Sequence, residues 1–213
     1  MTIPQDSMLF GFRDRITNEQ YDLLTAILAP TEEIQIVIVE AQAGTGKTFI
    51  STMGAKLRAQ SSKARLRYIF SPVNEDELGF LPGELNEKEA PYLAPLKQAL
   101  LKLKDDPTKI NNGTFWVEAR SHVYERGVNY ENETIIIDEV QNFTLHQLRK
   151  ILTRCADNCK VILIGNMRQC DLPDPSKSGF QPYVDHSYGE PWIKRLRLTH
   201  NFRGRVAEWS DSI

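Results

Sequence analysis

Two kinds of hydrophobic pattern alternate along the chain. Residues 34–39, 66–70, 134–137 and 161–164 are short, predominantly apolar runs. Runs of this kind, bounded by turn residues, mark strands covered on both faces, as in a parallel sheet. Between them, apolar residues recur at helical spacing. Tyr21, Leu24, Ile27 and Leu28 share one face of a helix expected over residues 18–28, and Pro30 follows it. Thr17 is a candidate N-cap, with Gln20 in the capping-box position. Further helices are expected over 49–59, 93–104, 145–156 and 205–211, and weaker strands over 114–118 and 195–198. Ser71-Pro72 stops the second strand, and a loop with Gly79, Pro82 and Gly83 follows. The alternation predicts an α/β fold: one domain with a mainly parallel sheet and helices on both faces.

The chemistry concentrates at strand ends. Residues 41–48, Ala-Gln-Ala-Gly-Thr-Gly-Lys-Thr, lie between the first strand and a helix. This is the setting of a phosphate-binding P-loop, or Walker A motif. Backbone N–H groups of Gln42, Ala43, Gly44, Thr45 and Gly46 can converge on phosphate oxygens, helped by the helix N-terminus. Lys47 is expected to reach the β- and γ-phosphates, and the Thr48 hydroxyl to ligate Mg²⁺. Ala41 stands where glycine is usual, a strain only if that residue needs a positive φ.

Residues 135–139, Ile-Ile-Ile-Asp-Glu, have the form of a Walker B strand. The strand is expected beside the P-loop strand, with Asp138 as a Mg²⁺ ligand and Glu139 as the base that orients and deprotonates water. The next apolar strand ends in residues 165–169, where Gln169 or Asn166 could sense the γ-phosphate. Arg203, with Arg205 as its rival, could place a guanidinium on that phosphate in its own subunit or a neighbour's. Gln20 has two readings, a helix cap or an amide that reads adenine. Phe10 and Phe12 are candidates to stack on the base.

Composition narrows the setting. The 213 residues suffice for one α/β core. A net charge of −2 gives no global basic signature of a nucleic-acid binder, which leaves local patches such as Lys56, Arg58, Lys63, Arg65 and Arg67 open. No apolar run approaches a membrane span, and residues 1–6 lack the charged and apolar regions of a leader. With three cysteines, an odd number, this points to the cytoplasm. Cys155, Cys159 and Cys170 lack a fourth ligand at zinc spacing and read as ordinary thiols.

Together the motifs resemble the PhoH-like ATPases, the phosphate-starvation-inducible group. Residues 41–48, the Leu-Gly-Phe-Leu-Pro-Gly of 78–83, the Asp-Glu-Val-Gln-Asn of 138–142, residues 165–173 and Ser178-Gly179 follow that family's recurring pattern. Residues 124–127 fall where the family has an Arg-Gly pair, and residues 198–203 look like a helicase arginine motif. The departures are Ala41, Ser71 before Pro72, a short 72–78 stretch, and Asn166 for the usual Asp. The resemblance implies a RecA-like core, ATP and Mg²⁺, often a hexameric homo-oligomer, and a link to RNA or other single-stranded nucleic acid. Some relatives carry a PIN ribonuclease domain, for which this chain lacks the length. The function expected is Mg²⁺-dependent ATP hydrolysis. The alternative is a nucleotide-gated RNA- or protein-binding module with little turnover, favoured by Ala41 and Asn166. A small-molecule kinase would need an acceptor pocket and lid, which the sequence does not display.

Overall fold

A computed structural model describes residues 16–72, 85–125, 127–206 and Trp209, with only the backbone of 85–88. The expectations for Phe10, Phe12, the 78–83 loop, Arg126 and most of the 205–211 helix lie outside those residues.

Among the described residues, six strands form one sheet. They are β1 (Ile36–Ala41), β2 (Arg65–Phe70), β3 (Val117–Ser121), β4 (Glu133–Ile137), β5 (Lys160–Gly165) and β6 (Ile193–Leu198). Their order is β3-β2-β4-β5-β1-β6, and every pairing is parallel. The Walker B strand β4 is therefore not beside the P-loop strand β1, as the sequence suggested. β5 lies between them, which places the 165–169 turn between the two motifs at the carboxyl edge of the sheet.

Strand side chains alternate between two cores. Val37, Val39, Ala41, Leu66, Tyr68, Phe70, Ile136, Ile162 and Ile164 face a layer that includes the helices α1 (Asn18–Leu28), α2 (Lys47–Ser62) and α3 (Leu85–Lys102). Ile38, Ile69, Ile135, Ile137, Val161 and Leu163 face the opposite layer, which includes α4 (Leu145–Leu152) and α5 (Phe180–His186). Each such fully buried aliphatic side chain stabilises the fold by about 1.5–3 kcal/mol. The helices lie on both faces, as the apolar runs implied.

The element bounds differ from the pattern for physical reasons. The strand expected at 114–118 is instead β3 at Val117–Ser121, because Asn112 captures the amide of Thr114 and its carbonyl that of Phe115 in a turn. α4 stops at Leu152 rather than residue 156. Residues 154–156 exchange backbone hydrogen bonds with Tyr130, and that pairing replaces a further helical turn. α3 begins before the expected residue 93 and runs through Pro91 and Pro95. The prolines remove helix donors, but Leu93, Leu96, Ala99 and Leu100 are buried on the inner face. α5 carries no strong periodic signal and was not expected. α1 and α2 touch closely at Gly54, where a Cβ would lie 2.7 Å from Ile27 Cγ2.

Candidate functional site

The site lies at the carboxyl ends of β1, β4 and β5, where open α/β sheets bind ligands. A cleft of about 1000 Å³ opens there. The P-loop forms one wall. Gly44 (φ 82°) and Gly46 (φ 77°) supply its left-handed turns, and Gly46 also begins α2. The Thr45 hydroxyl donates to the Gln42 carbonyl at 3.0 Å and holds the loop closed. Ala41 is the last residue of β1 and is not among the residues with positive φ. Alanine therefore costs nothing where the family has glycine.

Gln20 completes the capping box of α1, with Thr17 as the N-cap. Its Oε1 accepts from the Thr17 amide at 3.1 Å while its backbone N–H donates to the Thr17 hydroxyl at 3.2 Å. The same side chain also braces the P-loop, with Nε2 donating to the Thr45 carbonyl at 2.8 Å. Its oxygen and one amide hydrogen are thus engaged by protein.

The two carboxylates of the Walker B motif have different surroundings. Asp138 is 3% exposed. Its Oδ2 accepts from the Thr48 hydroxyl at 2.9 Å and from the Tyr68 hydroxyl at 2.7 Å. Burial, and then the charge of Glu139, raise the Asp138 carboxyl above its ordinary range, against the opposing pull of Lys47, Tyr68 and Thr48. Glu139 is half exposed, and its Oε1 lies 3.0 Å from Lys47 Nζ. Its backbone is left-handed, φ 52° and ψ 47°. For a residue with a Cβ that conformation costs about 1–3 kcal/mol, and such strain collects at functional sites.

Gln141, fully buried, ties this motif to the 165–169 turn. Its Nε2 donates to Glu139 Oε2 at 2.6 Å and to the Gln169 carbonyl at 3.0 Å. Its Oε1 accepts from the Asn166 amide at 3.0 Å. Asn166 itself caps the turn, its Oδ1 accepting from the Arg168 amide at 3.1 Å. Either Asn or Asp supplies that oxygen, so the departure from the family residue keeps the cap. Gln169 lines the cleft, and Asn166 shapes the turn that carries it.

The late segment reaches the same cleft. β6 runs beside β1 with Leu198 opposite Ala41, so the chain leaving β6 crosses its own P-loop. The Phe202 amide donates to the Gly44 carbonyl at 3.0 Å. A Cβ on Gly44 would lie 2.8 Å from Arg203 Cγ. Arg203 lines the cleft of its own chain, which supports the first of its two expected placements. Arg205 is exposed and is not among the lining residues.

Of the residues expected at the site, Gln20, Ala43, Gly44, Gly46, Lys47, Thr48, Asp138, Glu139, Gln169 and Arg203 line one cleft. Gln42 and Thr45 shape its loop. Sequence reasoning missed Tyr68 and Gln141. Tyr68 reads as one more apolar strand residue, and only strand order brings it to Asp138. Gln141 stood within the 138–142 motif without a role. The cysteines form no metal cluster among the described residues, and no described helix is long and apolar enough to cross a membrane.

A parallel sheet with a P-loop after β1, an Asp-Glu pair after β4 and a polar turn after the strand between them defines a RecA-like P-loop nucleotide-binding fold. The chain belongs to the PhoH-like family: the family model described as "PhoH-like protein" matches residues 14–209. It is 38% identical over 156 residues to a PhoH-like protein of Mycobacterium tuberculosis, covering 70% of this chain and 44% of that one. It is 34% identical over 183 residues to Protein PhoH of Escherichia coli, covering 80% and 50%. The chain thus spans about half the length of these relatives. Among solved structures it is similar in fold to the large terminase of the thermophilic bacteriophage D6E, with TM-score 0.58 and 16% identity over 86% of this chain and 46% of that one. A form of that terminase in complex with ADP gives TM-score 0.56 at 17% identity, over 86% and 45% of the two chains. At these identities the likeness shows the fold alone.

Proposed function

We propose that this protein binds Mg²⁺·ATP in the P-loop cleft and hydrolyses it. The observation that carries this reading is the arrangement at the end of β4. The Thr48 hydroxyl and the Asp138 carboxylate put two hard oxygens 2.9 Å apart, with Glu139 next in the chain and half exposed. Oxygen donors of this kind suit Mg²⁺, which when bound neutralises charge on the β- and γ-phosphates.

The chain's own groups do the rest. Backbone amides of residues 42–46 cradle the phosphates, and Lys47 supplies the counter-charge. Glu139 accepts the proton of the attacking water. Gln141 holds Glu139 and the Gln169 turn at a fixed separation, so that loss of the γ-phosphate can be felt at both. Arg203 closes the phosphate side in cis. The two sequence features that favoured a module without turnover have benign accounts: Ala41 sits in a strand, and Asn166 caps a turn.

On the family resemblance the reading extends to a cytoplasmic homo-oligomer, a hexamer, acting on RNA or other single-stranded nucleic acid. The exposed Arg205 is then the residue available to a neighbouring site. Phosphate release measured with Mg²⁺ or with EDTA, each with and without single-stranded RNA, tests both parts. Turnover is expected only with Mg²⁺, and faster with RNA. No turnover under any of the four conditions would refute hydrolysis.

A further inference from the structure

The segment of residues 199–203 belongs to no helix or strand, yet it carries Arg203 to the phosphate side of the cleft. Two anchors hold it. At the far end, Phe202 donates to the Gly44 carbonyl of the P-loop, 3.0 Å away. At the near end, one carboxylate takes three donors of the chain as it leaves β6. Glu19 Oε2 accepts from the Thr199 amide at 2.7 Å and the His200 amide at 3.5 Å, and its Oε1 accepts from the Thr199 hydroxyl at 2.6 Å. Partial burial works against the charge of Glu19, but these bonds outweigh it and hold the carboxyl below its ordinary range.

Glu19 stands next to Gln20, which braces Thr45 from the same first turn of α1. One helical turn therefore fixes both the P-loop and the segment laid across it. Between the anchors lies Asn201, 9% exposed. Its Oδ1 accepts from the Arg203 amide at 2.7 Å, while its buried Nδ2 has no hydrogen-bond partner. Its Oδ1 also comes within 2.6 Å of where a Cβ on Gly44 would lie. Asn201 thus packs its side-chain oxygen against the phosphate-binding loop.

We infer that Glu19 is a positioning residue for the nucleotide site: it seats residues 199–203 on the P-loop so that Arg203, which lines the cleft, faces the phosphates. The inference rests on the proposed reading that this cleft takes ATP. Glu19 touches neither nucleotide nor the reacting atoms, and it acts through Thr199. Both backbone amides go to Oε2, while Oε1 takes only the Thr199 hydroxyl, which can itself accept. Glutamine in its place could therefore keep the contacts and lose only the charge, whereas a shorter side chain loses them.

A double-mutant cycle of Glu19→Ala and Arg203→Ala tests this. The readouts are the dissociation rate of a fluorescent ATP analogue with Mg²⁺, phosphate release at saturating ATP, and the thermal unfolding midpoint. Arg203→Ala is expected to slow hydrolysis by on the order of tenfold or more. Glu19→Ala is expected to reproduce most of that loss, with the double variant no worse than Arg203→Ala alone. A merely structural role would lower the midpoint and leave the two losses additive. Should Glu19→Ala not fold, Glu19→Asp, one methylene too short to reach Thr199, carries the same cycle. If wild type binds and hydrolyses ATP but Glu19→Ala matches it, or the losses add, or Arg203→Ala is silent, the inference falls and the ATPase reading stands. If wild type binds no nucleotide, both fall.

Discussion

Lys47 Nζ and Glu139 Oε1 form an ion pair, 3.0 Å apart, across the mouth of the phosphate site. On the proposed reading the same ammonium is the counter-charge for ATP, so a bound triphosphate would compete with Glu139 for Lys47. Binding of the phosphates and release of the proposed base would then be one event. Lys47→Ala is expected to abolish binding of a fluorescent ATP analogue at micromolar concentrations, because the β/γ-phosphates lose their main charged donor. Binding at wild-type affinity by a folded variant would contradict the P-loop assignment.

Gln20 offers a second test, since its amide caps α1 and braces Thr45. Gln20→Ala is expected to weaken ATP and GTP by similar factors, because the damage is to the loop and not to base recognition. Titration of both nucleotides against wild type and variant decides it. Selective loss of ATP would restore the adenine-reading role.

Gln141 links Glu139 to the Gln169 turn and satisfies the Asn166 amide. Gln141→Ala is expected to leave ATP affinity within a few-fold while slowing phosphate release by on the order of tenfold or more. It should also lower stability by about 1–3 kcal/mol, the cost of an unsatisfied buried amide. Denaturant unfolding and phosphate release measure the two effects on one variant.

Lys160 enters β5 fully buried, donating to the carbonyls of Ala26 and Ala29 at the end of α1 and of Ile34 just before β1. Lys160→Met is expected to cost about 1–3 kcal/mol by leaving such acceptors unpaired. Burial pushes the ammonium down to about 7 from 10.5. The unfolded chain therefore holds this proton more tightly than the native one. From pH 7 upward toward 10 the stability of wild type is expected to rise relative to Lys160→Met. Unfolding curves of both proteins across that range check the sign.

Much of this architecture was legible because parallel strands buried on both faces leave unbroken apolar runs. The P-loop, the Asp138-Glu139 pair and the 165–169 turn each follow such a run, so their gathering at one sheet edge followed from topology. Strand order was not legible: nothing in residues 134–137 or 161–164 says that β5 comes between β1 and β4. For the same reason Tyr68 gave no signal, since its role depends on which strand lies beside β4. Glu19 and Thr199, 180 positions apart, meet only because β6 adds next to β1. Gln20 was half legible, its cap from local spacing and its brace from tertiary contact.

Glu139, the proposed catalytic base of an ATPase, gives the most direct test. Glu139→Gln keeps the side-chain length, removes the proton acceptor and frees Lys47 from its ion pair. Single-turnover phosphate release with prebound Mg²⁺·ATP, alongside the dissociation constant, separates chemistry from binding. The variant is expected to bind ATP at least as tightly as wild type and to hydrolyse it about 100-fold more slowly or worse, within the range of lost general-base catalysis. Phosphate release at the wild-type rate from that bound complex would contradict the account.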